Sequence, residues 1–292
     1  MHADGSRRGV VVPRRLQENC RGVPEREAWL WRLPSLLAEV RERWSVRLGP
    51  PFDTGEGGAA WVAPGVRSDG TAVALKLAMP HMEGEHEIAG LRVWDGAGMV
   101  RLLEADDGLG AMLLERCVPG TPLRALGDPD QDVVVAGLLR RLWEAPWRGG
   151  PFRSLASMTA AWSRRTPAGV PEDAGLRGEA VRLLAELPAS ASVQVLLATD
   201  LHAGNVLRAE REPWLAIDPK PFVGDPAYDV TQHLLNGAPR LRADAAGTIE
   251  RLAGLLDLDA ERVRLWTFAR LVLGGRGDDP RGAAALARNI RP

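Results

Sequence analysis

Lysine is nearly missing from this chain of 292 residues: of its 37 basic residues only Lys76 and Lys220 are lysine, the rest arginine. Where arginine is the default, a position that keeps lysine needs a compact point charge rather than a planar fork, and Lys76 is the first to be explained. Cysteine is as scarce. Cys20 and Cys117 lie far apart with no paired spacing, which argues against a disulfide framework or a zinc ribbon and leaves reduced thiols of a cytoplasmic protein as the expectation. Excess charge is absent too, since the formal net charge is -1; nucleic-acid and anionic-membrane surfaces need a basic stripe rather than balanced charge. No apolar run approaches the roughly 18 residues of a membrane span, and the one in "MHADGSRRGVVVPRR" is too short for a signal peptide. The expected partner is a small molecule, not nucleic acid or a membrane, and the chain is expected to act as a monomer.

What remains is an ordinary globular composition, 45% hydrophobic and 26% charged, long enough for one large or two modest domains. Residues 1–24 are polar and Arg-rich and read as a partly ordered leader. A helix "EREAWLWRLPSLLAEVRERW" follows, with an interruption expected at Pro34. Residues 25–116 hold five short strands, "SVRLGPP", "AAWVAPGVR", "TAVALKLAMP", "MVRLLEA" and "AMLLERC", with one helix, "GEHEIAGLRVWDG", after the third. Residues 117–292 are mostly helical: "DVVVAGLLRRLWEA", "SLASMTAAWSRR" and "LRGEAVRLLAEL" repeat apolar residues at i, i+3, i+4, and two or three more helices fall within 244–290. The fold class expected is α+β, a small five-stranded lobe with one helix followed by a larger helical lobe.

Chemistry concentrates in "LLATDLHAGNVLRAEREPWLAIDPKPFVGDPAYD", residues 196–229. "NVLRA" and "WLAIDP" pair as a hairpin around "EREP", so Asn205 at the start of one strand and Asp218 at the end of the other share one end. Asp200 lies in the loop entering that end. Two carboxylates and a carboxamide are hard oxygen donors suited to Mg²⁺, and one carboxylate can instead accept the proton of a substrate hydroxyl. "DPAYDVTQHLLN" resumes helix with Asp225 as N-cap and Pro226 at the first helical position. "HMEGEHE" reads as an acidic helix start rather than a metal cluster.

"DLHAGN" matches the D-x-x-x-x-N of the kinase catalytic loop, "IDP" stands at the place of D-F-G, and "VALK" at 73–76 matches V-A-I-K. In this order the motifs resemble the aminoglycoside phosphotransferase family of the kinase-like fold, and within it the streptomycin 6-kinase and hydroxyurea phosphotransferase group. That resemblance implies Asp200 as catalytic base, Asn205 and Asp218 as Mg²⁺ ligands, and Lys76 as a phosphate contact of ATP, with GTP left open. Glu87, or failing it Glu85, would hold Lys76. Gly55 and Gly57 of "TGEGG" fall where a phosphate-covering turn belongs, Leu114, Glu115 and Arg116 where a hinge offers backbone groups to adenine. Asp229 would hydrogen-bond the catalytic loop from below. Two departures stand out: Ala198 replaces a scaffolding histidine two residues before Asp200, and Lys220 follows "DP" where a protein kinase has glycine.

The activity implied is transfer of the γ-phosphate of ATP to a hydroxyl of a cationic aminoglycoside, streptomycin first, as in antibiotic resistance. Asp225, Asp229, His233 and Asn236 are the candidate acceptor contacts, because carboxylates hold a polycation. The alternatives are a kinase of another small hydroxyl compound, such as hydroxyurea or a sugar, and a nucleotide-binding pseudokinase.

Overall fold

The computed structural model describes residues 10–53, 58–165, 174–274 and 280–292. The chain divides into two units, Met1–Gly120 and Thr121–Pro292. The first contains α1 (Arg14–Cys20), α2 (Pro24–Arg43), β1 (Val46–Leu48), β2 (Ala60–Arg67), β3 (Ala72–Ala78), α3 (Glu87–Trp94), β4 (Leu102–Asp106) and β5 (Ala111–Glu115). Its strands form one antiparallel sheet in the order β1-β2-β3-β5-β4.

Alternation along β3 sets its two faces. Val73, Leu75 and Leu77 are fully buried and enter a core with Leu33, Leu36, Leu37 and Val40 of α2. Lys76 therefore points from the other face, opposite Val62 of β2 and Met112 of β5. The expected break at Pro34 does not occur, for α2 runs through it. Burying the four α2 side chains contributes about 1.5–3 kcal/mol each, which outweighs the roughly 3 kcal/mol that an interior proline costs. The stretch read as a leader also joins the fold: Leu16 and Cys20, one helical turn apart on α1, are buried in the same core. Asn19 of α1 donates to the Gly58 carbonyl at 3.1 Å. Gly58 has φ +118°, a conformation that calls for glycine, and a Cβ there would lie 2.5 Å from Asn19 Nδ2 and displace that amide.

The second unit is mainly helical: α4 (Asp128–Trp143), α5 (Leu155–Arg165), α6 (Ala174–Ala189), α7 (Pro226–Asn236), α8 (Ala238–Ala243), α9 (Ala245–Leu256), α10 (Ala260–Gly274) and α11 (Pro280–Asn289). Two small sheets lie between α6 and α7. The expected hairpin is β7 (Val206–Arg208) against β8 (Trp214–Ala216), antiparallel, with Val206 opposite Ala216. The other pairs β6 (Val195–Leu197) with β9 (Phe222–Gly224), a strand not anticipated, because three residues carry no readable alternation. Gly224 ends β9 where a Cβ would come within 2.4 Å of Leu155 of α5. Tyr228 of α7 meets Trp266 of α10 edge to face, centroids 5.2 Å apart, a favourable geometry for buried rings.

Four of these helices meet at one buried charge. Asp132 of α4 is 1% exposed and accepts from His233 Nε2 of α7 at 3.0 Å, Arg240 of α8 at 2.6 Å and Arg251 of α9 at 3.1 Å. Burial alone would raise this carboxyl; the hydrogen bonds from His233 and Arg240 outweigh it and hold the group below its ordinary value. None of the described helices is long and apolar enough to cross a membrane.

Candidate active site

The loop after β6 and the end of the β7–β8 hairpin bring three of the expected residues together. Asn205 gives its Nδ2 to the Asp200 backbone carbonyl at 3.0 Å and lies 3.5 Å from Asp200 Oδ2. The Ile217 N–H reaches the Asn205 carbonyl at 2.9 Å, which seats Asp218 beside Asn205. Lys220 joins them, its ammonium 2.6 Å from Asp218 Oδ1 and 4.0 Å from Asp200 Oδ2. The two carboxylates keep 28% and 35% of their side-chain surface exposed, whereas Lys220 keeps 10%. A cation thus sits between the two acids on the protein side, and their outer edges face solvent.

Backbone strain marks the same place. Thr199 and Asp218 have φ of +51° and +55°, a region that costs a β-branched residue about 1–3 kcal/mol. The surroundings over-determine this conformation. Thr199 donates its N–H to Asp229 Oδ1 at 2.6 Å and its hydroxyl to the Lys220 carbonyl at 2.5 Å. The Ala198 N–H goes to Asp229 Oδ2 at 3.0 Å, and the Ala198 carbonyl accepts from the N–H groups of Asp200 and Lys220. Trp143 Nε1 is the third donor to Asp229, at 3.0 Å. The loop is therefore held by its own backbone and by Asp229, although Ala198 offers no polar side chain. His202 stays within the loop, its Nδ1 accepting from the Gly204 N–H.

Burial pushes the Asp229 carboxyl from 3.8 up to about 6, against the pull of its three donors. A carboxyl whose folded pKa lies above the unfolded one binds more protons when folded, so its contribution to stability declines as pH rises across that interval. The margin of the wild-type chain over Asp229→Asn is expected to narrow between pH 3.8 and about 6 and to stay constant above. Urea unfolding of both proteins at several pH values measures this, and a margin that widens with pH would contradict it.

The remaining candidates fall out unevenly. Lys76 on β3 is 5% exposed and pairs with Glu87 of α3 at 2.5 Å, so Glu87 rather than Glu85 takes this partner. Glu87 Oε2 is buried without a hydrogen-bond partner among the described residues, which leaves it able to accept one more donor. Leu114 and Glu115 close β5, and Glu115 already gives its N–H to the Arg101 carbonyl. That N–H is committed to Arg101, while the expectation for Leu114, Glu115 and Arg116 also covers their other backbone groups. Gly55 and Gly57 lie outside the described residues.

The acceptor candidates need correction. Asp225 is buried as the N-cap of α7, its oxygens accepting from Ala227 N–H, Arg262 and Trp266. Asp229 is spent on the loop, and His233 on Asp132. None of the three has a surface to offer an acceptor. Asn236 alone among the four is exposed. Sequence reading noted Lys220 only as a departure after "DP", without a role in the site, and passed over Gln232, which gives its Nε2 to Asp200 Oδ1 at 2.7 Å. A usable signal existed for Lys220, the second of two lysines; an uncharged glutamine on a helix carried none.

The oxygen set fits a hard divalent cation. Asn205 turns its NH₂ toward Asp200, which directs the amide oxygen elsewhere, and Asp218 adds a partly exposed carboxylate; both are ligands of the type Mg²⁺ takes.

Residues 43–279 match the family model described as aminoglycoside/hydroxyurea antibiotic resistance kinase. The chain is 42% identical over 279 residues to a streptomycin 6-kinase of Streptomyces griseus, covering 91% of this chain and 89% of that one. It is 44% identical over 253 residues to a hydroxyurea phosphotransferase of Kitasatospora aureofaciens, covering 82% and 71%. Among solved structures, the choline kinase LicA of Streptococcus pneumoniae superposes with a TM-score of 0.62 at 12% identity, over 88% of this chain and 97% of that one. At that identity the likeness speaks for the fold.

Proposed function

The chain belongs to the aminoglycoside/hydroxyurea antibiotic resistance kinase family, and on that premise we propose that it transfers the γ-phosphate of ATP to a hydroxyl of streptomycin or a closely similar aminoglycoside. The observation that carries the proposal is the gathering of Asp200, Asn205 and Asp218 at one end of the β7–β8 hairpin. The 42% identity to a streptomycin 6-kinase supports the choice of acceptor.

In this reading Asp200 orients the acceptor hydroxyl and takes its proton as the phosphoryl group departs from ADP. Phosphoryl transfer asks little covalent chemistry of a protein, so positioning and charge neutralisation account for the rate. Lys76, held by Glu87, contacts the α- and β-phosphates, and the unit Met1–Gly120 that contains both is assigned nucleotide binding. Asn205 and Asp218 would hold Mg²⁺, which neutralises phosphate charge when bound. Lys220 keeps Asp218 in place by its 2.6 Å contact. The unit Thr121–Pro292 is assigned the acceptor.

Incubation with Mg-ATP and a panel led by streptomycin, followed by mass spectrometry, tests this. The expected result is a gain of one phosphate on streptomycin. Hydroxyurea belongs in the panel, because 44% identity to a hydroxyurea phosphotransferase favours it as the second reading. Phosphate on hydroxyurea alone would replace the acceptor, and nucleotide binding without transfer to any acceptor would replace the enzyme with a pseudokinase.

A further inference from the structure

Asp200 is gripped from a second helix layer as well as by its own loop. Gln232 of α7 gives Nε2 to Asp200 Oδ1 at 2.7 Å, and its Oε1 accepts from the Arg270 guanidinium of α10. Arg270 gives another N–H to Thr231 Oγ1 at 2.6 Å. The guanidinium lies over the buried Tyr228 ring, 4.7 Å from its centroid, and 5.9 Å from that of Trp162. Arginine carries donors and no acceptor. It can therefore meet Gln232 only at the amide oxygen, and this sends the NH₂ end of the same amide toward Asp200. The orientation of Gln232 is dictated by chemistry rather than left to either flip.

We propose that Gln232, oriented by Arg270, is a positioning residue that sets the plane of the Asp200 carboxylate during phosphate transfer. The proposal rests on the reading of Asp200 as the base. Asp200 sits in a loop, and a loop carboxylate 28% exposed turns easily about its side-chain torsions. Fixing Oδ1 through Gln232 holds Oδ2 on the side of Asn205 and Lys220, at 3.5 and 4.0 Å. The chain Arg270–Gln232–Asp200 runs from the rings of Tyr228 on α7 and Trp162 on α5 to the reacting edge, so its rigidity is that of the packed helices.

The test compares Gln232→Glu and Gln232→Met with the wild type. Glutamate is isosteric and still accepts from Arg270, but it turns an acceptor of like charge toward Asp200. The expected result is a fall in kcat of about 100-fold for Gln232→Glu, with KM for ATP and acceptor within about 3-fold. Methionine removes the donor without adding charge and lowers kcat less, by about 10-fold. A rise in KM for the acceptor with kcat unchanged would make Gln232 a substrate contact and overturn the proposal, as would kcat unchanged in both variants. Crystal structures of the wild type and Gln232→Glu read the positioning without turnover: an Asp200 carboxylate rotated in the variant supports it, an unmoved one overturns it. If Asp200→Asn keeps the wild-type rate, the reading of the base fails, and the crystallographic comparison still decides the role of Gln232.

Discussion

Replacing Asp200 by alanine stops phosphate transfer while leaving nucleotide binding in place, with an expected loss in kcat of about 10²–10⁴-fold for removal of a general base. The structure separates this loss from unfolding. The Asp200 side chain is partly exposed, and the backbone bonds that shape its loop, Asp200 N–H to the Ala198 carbonyl and Asn205 Nδ2 to the Asp200 carbonyl, do not involve the carboxylate. Lys220 retains Asp218 as a partner at 2.6 Å. Lys76 and Glu87, the proposed nucleotide contacts, belong to the other unit of the chain. Phosphate transfer by mass shift, beside thermal stabilisation by Mg-ATP, measures both halves of the expectation. Undiminished transfer in Asp200→Ala would remove Asp200 from the mechanism, and loss of nucleotide stabilisation would mean that the residue serves binding.

Asp132→Ala carries the largest expected cost in stability, about 3–5 kcal/mol for deleting one member of a buried charge cluster. The carboxylate joins α4 to α7, α8 and α9, and Arg240 Nη2 and His233 Nδ1 already lack a partner among the described residues. Removal would leave buried donors facing one another. Its pH signature follows from the direction of the shift. A carboxyl held below its ordinary 3.8 stabilises the fold at pH above that value, and the advantage disappears as pH falls through the lower folded pKa. Denaturant unfolding at pH 7 should therefore show a large gap between wild type and Asp132→Ala that narrows in acid. A variant as stable as the wild type at pH 7 would show that the junction is held by apolar packing alone.

Much of this fold was legible because its signals are periodic. Val73, Leu75 and Leu77 alternate, α4 repeats every three to four residues, and "EREP" marks a turn between two β-rich triplets, so sheet, helices and hairpin all follow from the chain. β9 is three residues long and gave no pattern. Pro34 misled because local preference was weighed without the burial that overrides it. The gathering of Asp200, Asn205 and Asp218 followed from the antiparallel hairpin, whose geometry is set by its turn. For Asp225 and Asp229 the capping and loop-holding roles were legible, but the added acceptor role was not a fit for them or for His233: a polar residue in or beside a helix reads alike whether it faces solvent or a buried partner, and these three face Trp266, the Ala198–Thr199 amides and Asp132. Lys220 was visible to the same argument that singled out Lys76, had it been applied twice.

The scarcity of lysine and the burial of both lysines make this chain unusual to a chemist with an acylating reagent. Apart from the amino terminus its primary amines are Lys76 and Lys220, 5% and 8% exposed and each ion-paired to a carboxylate. Surface labelling, which on most proteins blurs over many lysines, would here leave both lysines unmodified in the folded state. Any acyl group found on residue 76 or 220 therefore records an opening of one of two carboxylate pairs, and mass spectrometry can count those openings separately.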